Sequence, residues 1–173
     1  MKYRTGIQQL DSVLRGGVPS GVCEVFGEDS SGKSTLCFSV IREASSRGLP
    51  TSIIHSDGMP DRDYISSCGA GDSLIVVPAH IEATVRAAVR MLEGGVKVIA
   101  IDNLSVMECS ADLKVRDVGE RVKSARYEAL TTGLAEIAEV SKKNNAVVLI
   151  VNQIRTPIGS LNPKPTSFVT SAG

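Results

Sequence analysis

Residues 27–35, GEDSSGKST, match the pattern G-x-x-x-x-G-K-[ST]. An apolar run at residues 22–26 precedes them, and a helical pattern at residues 34–46 follows. Glycines at both ends of such a loop let backbone N–H groups turn inward toward an anion, and the start of the helix adds a favourable dipole. The order strand, loop, helix therefore predicts a phosphate-binding turn. It also requires a fold in which a buried strand leads directly into a helix.

The side chains of this segment, here named the phosphate loop (residues 27–35), suit a nucleotide. Lys33 supplies a cation for the β- and γ-phosphates, and the Ser34 hydroxyl is a ligand for Mg²⁺. The alternative is a turn rich in glycine and serine that matches by chance. The predicted nucleotide contacts are Gly27, Glu28, Asp29, Ser30, Ser31, Gly32, Lys33, Ser34 and Thr35.

Short apolar runs alternate with helical patterns along the chain, which predicts an α/β fold with a mostly parallel sheet flanked by helices. The 173 residues favour one domain, residues 1–173. The predicted strands span residues 22–26, 52–55, 74–77, 96–101 and 147–151. Besides the helix at 34–46, one helix carries an apolar face over residues 81–92, and a capping box at Asp117 opens another that continues to Lys143. Residues 57–63 and 107–116 are predicted loops.

An acidic residue ends the fourth predicted strand. The run 96–103, VKVIAIDN, places Asp102 just after four aliphatic positions. Beside a phosphate loop, such an acid is expected to hold Mg²⁺ through water. The alternative is an ordinary acid at a strand end, which is common in α/β folds.

Composition excludes several other classes of protein. The 19 acidic and 19 basic residues cancel, so nucleic-acid binding would need a local basic patch. No apolar run approaches the roughly 20 residues that span a bilayer, and we expect no membrane partner. The four cysteines form no C-x-x-C pair, which favours free thiols. The histidines, His55 and His80, lack metal-ligand spacing and are expected to be structural.

Three further motifs carry a family resemblance. T-G-x-x-x-L-D begins at Thr5, G-G-x-P-x-G begins at Gly16, and the phosphate loop follows in the same order as in RecA/RadA recombinases. Residues 147–155, VVLIVNQIR, resemble the strand and N-Q-I-R sensor of bacterial RecA. The chain thus resembles the RecA-like P-loop ATPase core, from about Thr5 to its last residue. The resemblance implies ATP and Mg²⁺ as cofactors and a DNA-dependent ATPase activity.

The resemblance also implies roles for single residues. Asp57 takes the place of the catalytic glutamate that activates water, although it is one methylene shorter. Asp61 and Tyr64 match positions that touch adenine, with Tyr64 stacking on the ring, and Gln153 matches the glutamine that senses the γ-phosphate. The alternatives are a turn residue or metal ligand for Asp57, a surface aromatic for Tyr64 and a polar strand end for Gln153.

Two segments correspond to the DNA-binding loops of the family, residues 107–116 and residues 155–173, and we expect the second to be disordered. Such side chains contact phosphates and stack on bases without sequence preference. The alternative is a solvated basic surface. The candidate DNA contacts are Lys114, Arg116, Arg155, Lys164 and Phe168.

The chain departs from the family pattern at both ends. We expect it to lack the N-terminal oligomerisation segment of the family and the strands that follow the second loop, one of which would cover the apolar strand at 22–26. We therefore expect a homo-oligomer, filament or ring, or a completing partner chain. The expected function is a cytoplasmic or nucleoid-associated recombinase core that binds single-stranded DNA in recombination or repair. The alternatives are a non-hydrolysing paralogue that acts as a recombination mediator and a ring-forming ATPase of the DnaB or KaiC type.

Overall fold

Five parallel strands form the centre of the computed structural model, which describes residues 1–56, 58–104, 107–110, 119–155 and 169–170, with the backbone alone at 119–125, 154–155 and 169–170. Their order across the sheet is β3-β7-β6-β4-β5. The strands are β3 (Gly21–Gly27), β4 (Thr51–His55), β5 (Leu74–Val76), β6 (Val98–Asp102) and β7 (Val147–Arg155), after a small pair of β1 (Lys2–Tyr3) and β2 (Val18–Pro19). A two-residue strand, β8 (Val169–Thr170), pairs antiparallel with the end of β7. The predicted α/β fold is confirmed.

Helices cover both faces of the sheet. They are α1 (Gln8–Val13), α2 (Lys33–Ser45), α3 (Arg62–Ser67), α4 (Ile81–Glu93) and α5 (Gly119–Lys143). Residues that alternate along each central strand enter two separate cores. Ile53, Ala100 and Leu149 pack with α2, and their neighbours Ile54 and Ile101 pack with α4 and α5. Because both faces are buried, these strands have continuous apolar runs, which is why the sequence revealed them.

One of the two outer strands of the five-stranded parallel sheet is β3, the strand that leads into the phosphate loop, and the other is β5. Val22 and Phe26 on this strand are 37% and 56% exposed. An edge strand with exposed apolar side chains is the kind of surface that another chain segment covers in a soluble protein. The exposed apolar edge expected from the sequence is therefore present in the part of the chain that the structure describes.

Gly133 in the middle of α5 would cost a helix about 1 kcal/mol relative to alanine. A Cβ atom at this position would overlap the side chain of Val85 on α4. The glycine therefore allows α4 and α5 to approach closely, and this packing compensates for the low helix propensity. None of the described helices is long and apolar enough to cross a membrane.

The motif T-G-x-x-x-L-D ties the N-terminal segment to α2. Asp11 Oδ1 accepts hydrogen bonds from the Thr5 backbone N (2.7 Å) and from Thr5 Oγ1 (2.8 Å). Ser39 Oγ on α2 then donates to the Thr5 carbonyl at 2.6 Å. Desolvation acts to raise the pKa of Asp11, but the hydrogen bonds from Thr5 lower it below its ordinary value. The motif thus has a structural role, since it fixes α1 against the helix that follows the phosphate loop.

Three sequence predictions need correction. The fifth strand does not end at residue 151, because β7 continues through the N-Q-I-R motif to Arg155. Residues 57–63 are not all loop, because α3 begins at Arg62 after the N-cap residue Asp61. This helix has six residues, too few for a hydrophobic period to show in the sequence. The fourth strand begins at Val98 and not at residue 96, since Val96 N still bonds to Met91 O in the turn that ends α4. The predicted start of the long helix at Asp117 lies outside the described residues.

Candidate functional site

Four parallel strands bring most of the predicted residues together at the C-terminal end of the sheet. In the register of β3 and β7, Gly27 lies beside Gln153. In the register of β4 and β6, His55 lies beside Asp102. Ligands in open α/β sheets bind at this end, just outside the carboxyl ends of the strands. The phosphate loop, Asp102 and Gln153 therefore surround one end of the sheet.

The phosphate loop has the backbone conformation that an anion site needs. Ser30 and Gly32 both have positive φ, 60° and 86°. Gly32 is the N-cap of α2 and provides no side-chain hydrogen bond to the first turn of that helix. A Cβ atom at Gly32 would meet open space, so the glycine is required for its left-handed conformation. The first turn of α2 thus directs its N–H groups at the loop, as in helix termini that bind phosphate.

The side chain of Lys33 lies across the phosphate loop. Its Nζ atom donates to the carbonyl oxygens of Gly27 (3.1 Å) and Glu28 (2.6 Å). Residues 28–32 are exposed. The ammonium group is therefore held over an open, curled backbone, where a phosphate would replace these carbonyls as its partner.

Asp102 ends β6 close to α2. The pKa of the Cys37 thiol on α2 is raised to about 12, mainly by burial and to a smaller extent by the charge of the Asp102 carboxylate. The carboxylate thus acts on the helix that carries Ser34. Both groups offer oxygen atoms, the donor type that Mg²⁺ prefers, and so the chemistry of this donor set fits the ion. The backbone at Ser56 is attached to the same strand end, because Ser56 N donates to Asp102 O at 2.9 Å.

Tyr64 contacts the start of α2 from α3. Its hydroxyl oxygen lies 2.6 Å from Thr35 Oγ1, and its ring centroid lies 6.0 Å from that of Phe38 at an interplanar angle of 65°. The side chain remains 42% exposed. Asp61 Oδ1 accepts the Tyr64 backbone N–H at 2.9 Å and so begins α3. The structure therefore joins Tyr64 to the phosphate loop and gives Asp61 a structural task as a helix cap.

Gln153 is held through its neighbour Asn152, which belongs to the N-Q-I-R motif, and through Glu24, which sequence analysis missed. Its backbone N–H donates to Asn152 Oδ1 at 3.0 Å, and Asn152 Nδ2 donates to Glu24 Oε1 at 2.7 Å. Asn152 is fully buried. The signal in the sequence was a lone glutamate inside the apolar strand that precedes the phosphate loop. These contacts fix the backbone of β7 where it passes the loop.

Comparison with known proteins agrees with this geometry. A family model described as the RecA N-terminal domain matches residues 2–173. The chain belongs to the RecA family. It is 32% identical over 170 residues to Protein RecA of a Wolbachia species from Drosophila simulans, covering 94% of this chain and 48% of that protein. The resemblance expected from the motifs is confirmed.

Two other relatives show the same extent of similarity. Protein RecA of Bdellovibrio bacteriovorus is 29% identical over 170 residues, covering 94% of this chain and 45% of that protein. Protein RecA of Xanthomonas axonopodis pv. citri is 28% identical over 174 residues, covering 98% of this chain and 50% of that protein. This RecA-family chain thus spans about half the length of the curated relatives it matches.

Several predicted residues of this RecA-family chain lie outside the described residues. They are Asp57, Lys114, Arg116, Lys164 and Phe168. The backbone of Arg155 ends β7. The roles assigned to these six residues stay predictions.

A second polar cluster, formed by His80, Glu82 and Ser110, lies beside the segment that follows β6. Glu82 Oε1 accepts hydrogen bonds from Ser110 Oγ (2.7 Å) and Ser110 N (3.1 Å), and His80 Nδ1 lies 3.0 Å from Glu82 Oε2. Partial burial raises the pKa of Glu82, but hydrogen bonds, chiefly those from Ser110, outweigh burial and lower it to about 2. His80 also caps α4 by accepting the Ala83 N–H at 3.2 Å, in line with its expected structural role. The cluster attaches residues 107–110 to α4.

Proposed function

We propose that the chain is the ATP-binding and ATP-hydrolysing core of a RecA-type recombinase, which binds single-stranded DNA in homologous recombination or repair. The observation that carries the proposal is the arrangement at the C-terminal end of the sheet. There Lys33 lies across the phosphate loop, and Gln153 lies beside Gly27 in register. A triphosphate held by Lys33 would have its terminal phosphate close to the end of β7. Family membership supports the same reaction class.

In this proposal each side chain at the C-terminal end of the sheet has a separate role. Lys33 and the first turn of α2 bind the phosphates, and Tyr64 with Asp61 contacts the adenine base. Ser34 and Asp102 would hold Mg²⁺, which when bound neutralises charge on the β- and γ-phosphates. Asp57 orients and activates the attacking water. Gln153 senses the γ-phosphate.

The same end of the sheet supports a role in DNA binding. Gln153 lies two residues before Arg155, with which the second predicted DNA-binding segment begins. A glutamine that contacts the γ-phosphate can therefore change the segment attached to it, as order–disorder switches do in other nucleotide-binding proteins. We propose that Lys114, Arg116, Arg155, Lys164 and Phe168 contact the DNA strand.

Self-association is the second part of the proposal. The exposed side chains of Val22 and Phe26 lie on β3, an outer strand of the sheet, and an apolar strand edge is covered in stable assemblies. We propose that another protomer or a completing chain covers this edge. Mass photometry with and without ATP measures the state: filaments or rings support self-association, and a monomer under all conditions contradicts it.

Phosphate release with and without single-stranded DNA tests the enzymatic part. We expect turnover in the wild type that DNA increases, and its loss in Lys33→Ala. Lys143→Ala is the matched control, because Lys143 is exposed in the last turn of α5 and its substitution leaves the loop intact. Absence of turnover with and without DNA would contradict the ATPase. If calorimetry then shows ATP bound and recovered unchanged, a non-hydrolysing recombination mediator replaces it, which the shorter Asp57 side chain favours.

A further inference from the structure

We propose that Thr35 is a positioning residue for the nucleobase, because its hydroxyl group holds Tyr64 in place as the base-side wall of the site. The inference rests on the proposed nucleotide binding and deepens it. It assigns Thr35 a function directed at the base, in addition to its place in the phosphate loop. The ligand class is a purine nucleoside triphosphate.

The contact joins two helices that are distant in sequence. Thr35 lies in the first turn of α2 and Tyr64 lies in the first turn of α3, 29 residues further on, with 2.6 Å between the two hydroxyl oxygens. A six-residue helix such as α3 has little stability of its own, so its position depends on tertiary contacts. On the inner side, Ile65 is only 2% exposed and anchors α3 in the core. On the outer side, the bond to Thr35 sets the direction of the Tyr64 side chain.

A second contact on α2 orients the ring itself. Phe38 lies one helical turn after Thr35 and is 2% exposed, and its ring meets that of Tyr64 edge to face. Two contacts from successive turns of α2 therefore fix both the hydroxyl end and the plane of the tyrosine. Since 42% of the side chain remains exposed, aromatic surface is left for a planar base. A ring that is already oriented loses less conformational freedom when a base stacks on it.

The position of Thr35 links the base to the phosphates. It lies two residues after Lys33, so the wall formed by Tyr64 starts from the same helical turn that would bind the triphosphate. Loss of the Thr35 hydroxyl should therefore weaken binding of a ligand that has a base and leave binding of a bare triphosphate unchanged. This difference separates a role in base positioning from a role in phosphate binding or in folding.

The test compares ATP with inorganic tripolyphosphate, both with Mg²⁺, by isothermal titration calorimetry. Thr35→Val removes the hydroxyl at nearly constant volume, and Tyr64→Phe removes the partner hydroxyl but keeps the ring. We expect each variant to bind ATP about three- to tenfold more weakly, the range for one hydrogen bond, with tripolyphosphate affinity unchanged. The double variant should be no weaker than either single variant, because both remove the same bond. Thr35→Ser should retain wild-type affinity for ATP.

The ratio of the two Kd values is measured within each variant, so a reduced folded fraction changes neither the ratio nor its interpretation. Equal weakening of ATP and tripolyphosphate in Thr35→Val would overturn the inference and place the hydroxyl on a phosphate. Unchanged affinity for both ligands would overturn it as well. A wild-type protein that binds tripolyphosphate and ATP equally well contradicts the base site alone. A wild-type protein that binds neither ligand overturns the proposed function and, with it, this inference.

Discussion

The segments that follow β3 and β6 both leave the C-terminal end of the sheet, but they are held in different ways. In the phosphate loop, the Lys33 ammonium bonds to two carbonyls of its own loop, and residues 28–32 are exposed. In residues 107–110, Met107 and Cys109 are 4% and 1% exposed, and Ser110 bonds through both its backbone and its hydroxyl to Glu82. Ile81 N further donates to Glu108 O at 3.0 Å.

The difference separates a segment that we propose binds a ligand from a segment held by contacts with the rest of the fold. Hydrogen bonds within an exposed loop can be exchanged for bonds to a phosphate at little cost, because water already competes for them. Hydrogen bonds from Ser110 to a partly buried carboxylate are costly to break, because the carboxylate would lose its compensation for desolvation. Substitutions in the two segments should therefore affect different measurements.

Lys33→Ala should have the largest effect, and it should be on binding. Removal of a charge-assisted contact to phosphate weakens ATP binding by about 10- to 100-fold, as measured by calorimetry with Mg²⁺. Lys33 is only partly exposed, but its ammonium group bonds to carbonyls of its own loop, so the free energy of unfolding in urea should change by less than about 0.5 kcal/mol. Lys143→Ala should change neither quantity. A clear loss of stability in Lys33→Ala would remove the distinction between the two segments.

Glu82→Ala should have the opposite profile. The Ser110 N–H and hydroxyl lose their acceptor, and we expect the free energy of unfolding to fall by about 1–2 kcal/mol in urea titrations. Affinity for ATP should stay within twofold of the wild type. Glu93→Ala, at the other end of the same helix and exposed, is the matched control and should leave stability unchanged. If Glu82→Ala is as stable as the wild type, the cluster does not anchor residues 107–110.

The smallest effect is the pH dependence of the same cluster. Glu82 has a pKa of about 2 in the folded protein, lowered from an ordinary 4.5, so its stabilising effect is complete above about pH 4.5 and is lost as pH falls toward 2. The difference in unfolding free energy between wild type and Glu82→Gln, about 1 kcal/mol at pH 7, should therefore shrink over this range. A His80→Asn background removes the neighbouring imidazole and keeps a residue that can cap α4. A constant difference from pH 7 to pH 2 would show that the carboxylate charge is not responsible.

Part of this molecule was predictable because the signals are local. The phosphate loop is a run of nine residues in which each residue type follows from the chemistry of the loop itself. The central strands were recognisable because burial on both faces makes them continuously apolar, and Asp102 was recognisable as the polar end of such a strand. Asp61 and Tyr64 were placed near the nucleotide by family resemblance, whereas the helix that Asp61 caps and that carries Tyr64 was missed.

What remained hidden depends on contacts between distant segments. The Glu24–Asn152 bond spans 128 positions and exists because the parallel register places β3 beside β7. Gly133 is unfavourable for an isolated helix, and only the side chain of Val85 on α4 gives the reason for a glycine there. The sequence by itself determined the fold class and the phosphate loop, since periodicity and turn chemistry act between near neighbours. Only the tertiary structure decided which residues hold Tyr64, Gln153 and Ser110, because strand register and helix packing arise from the whole chain.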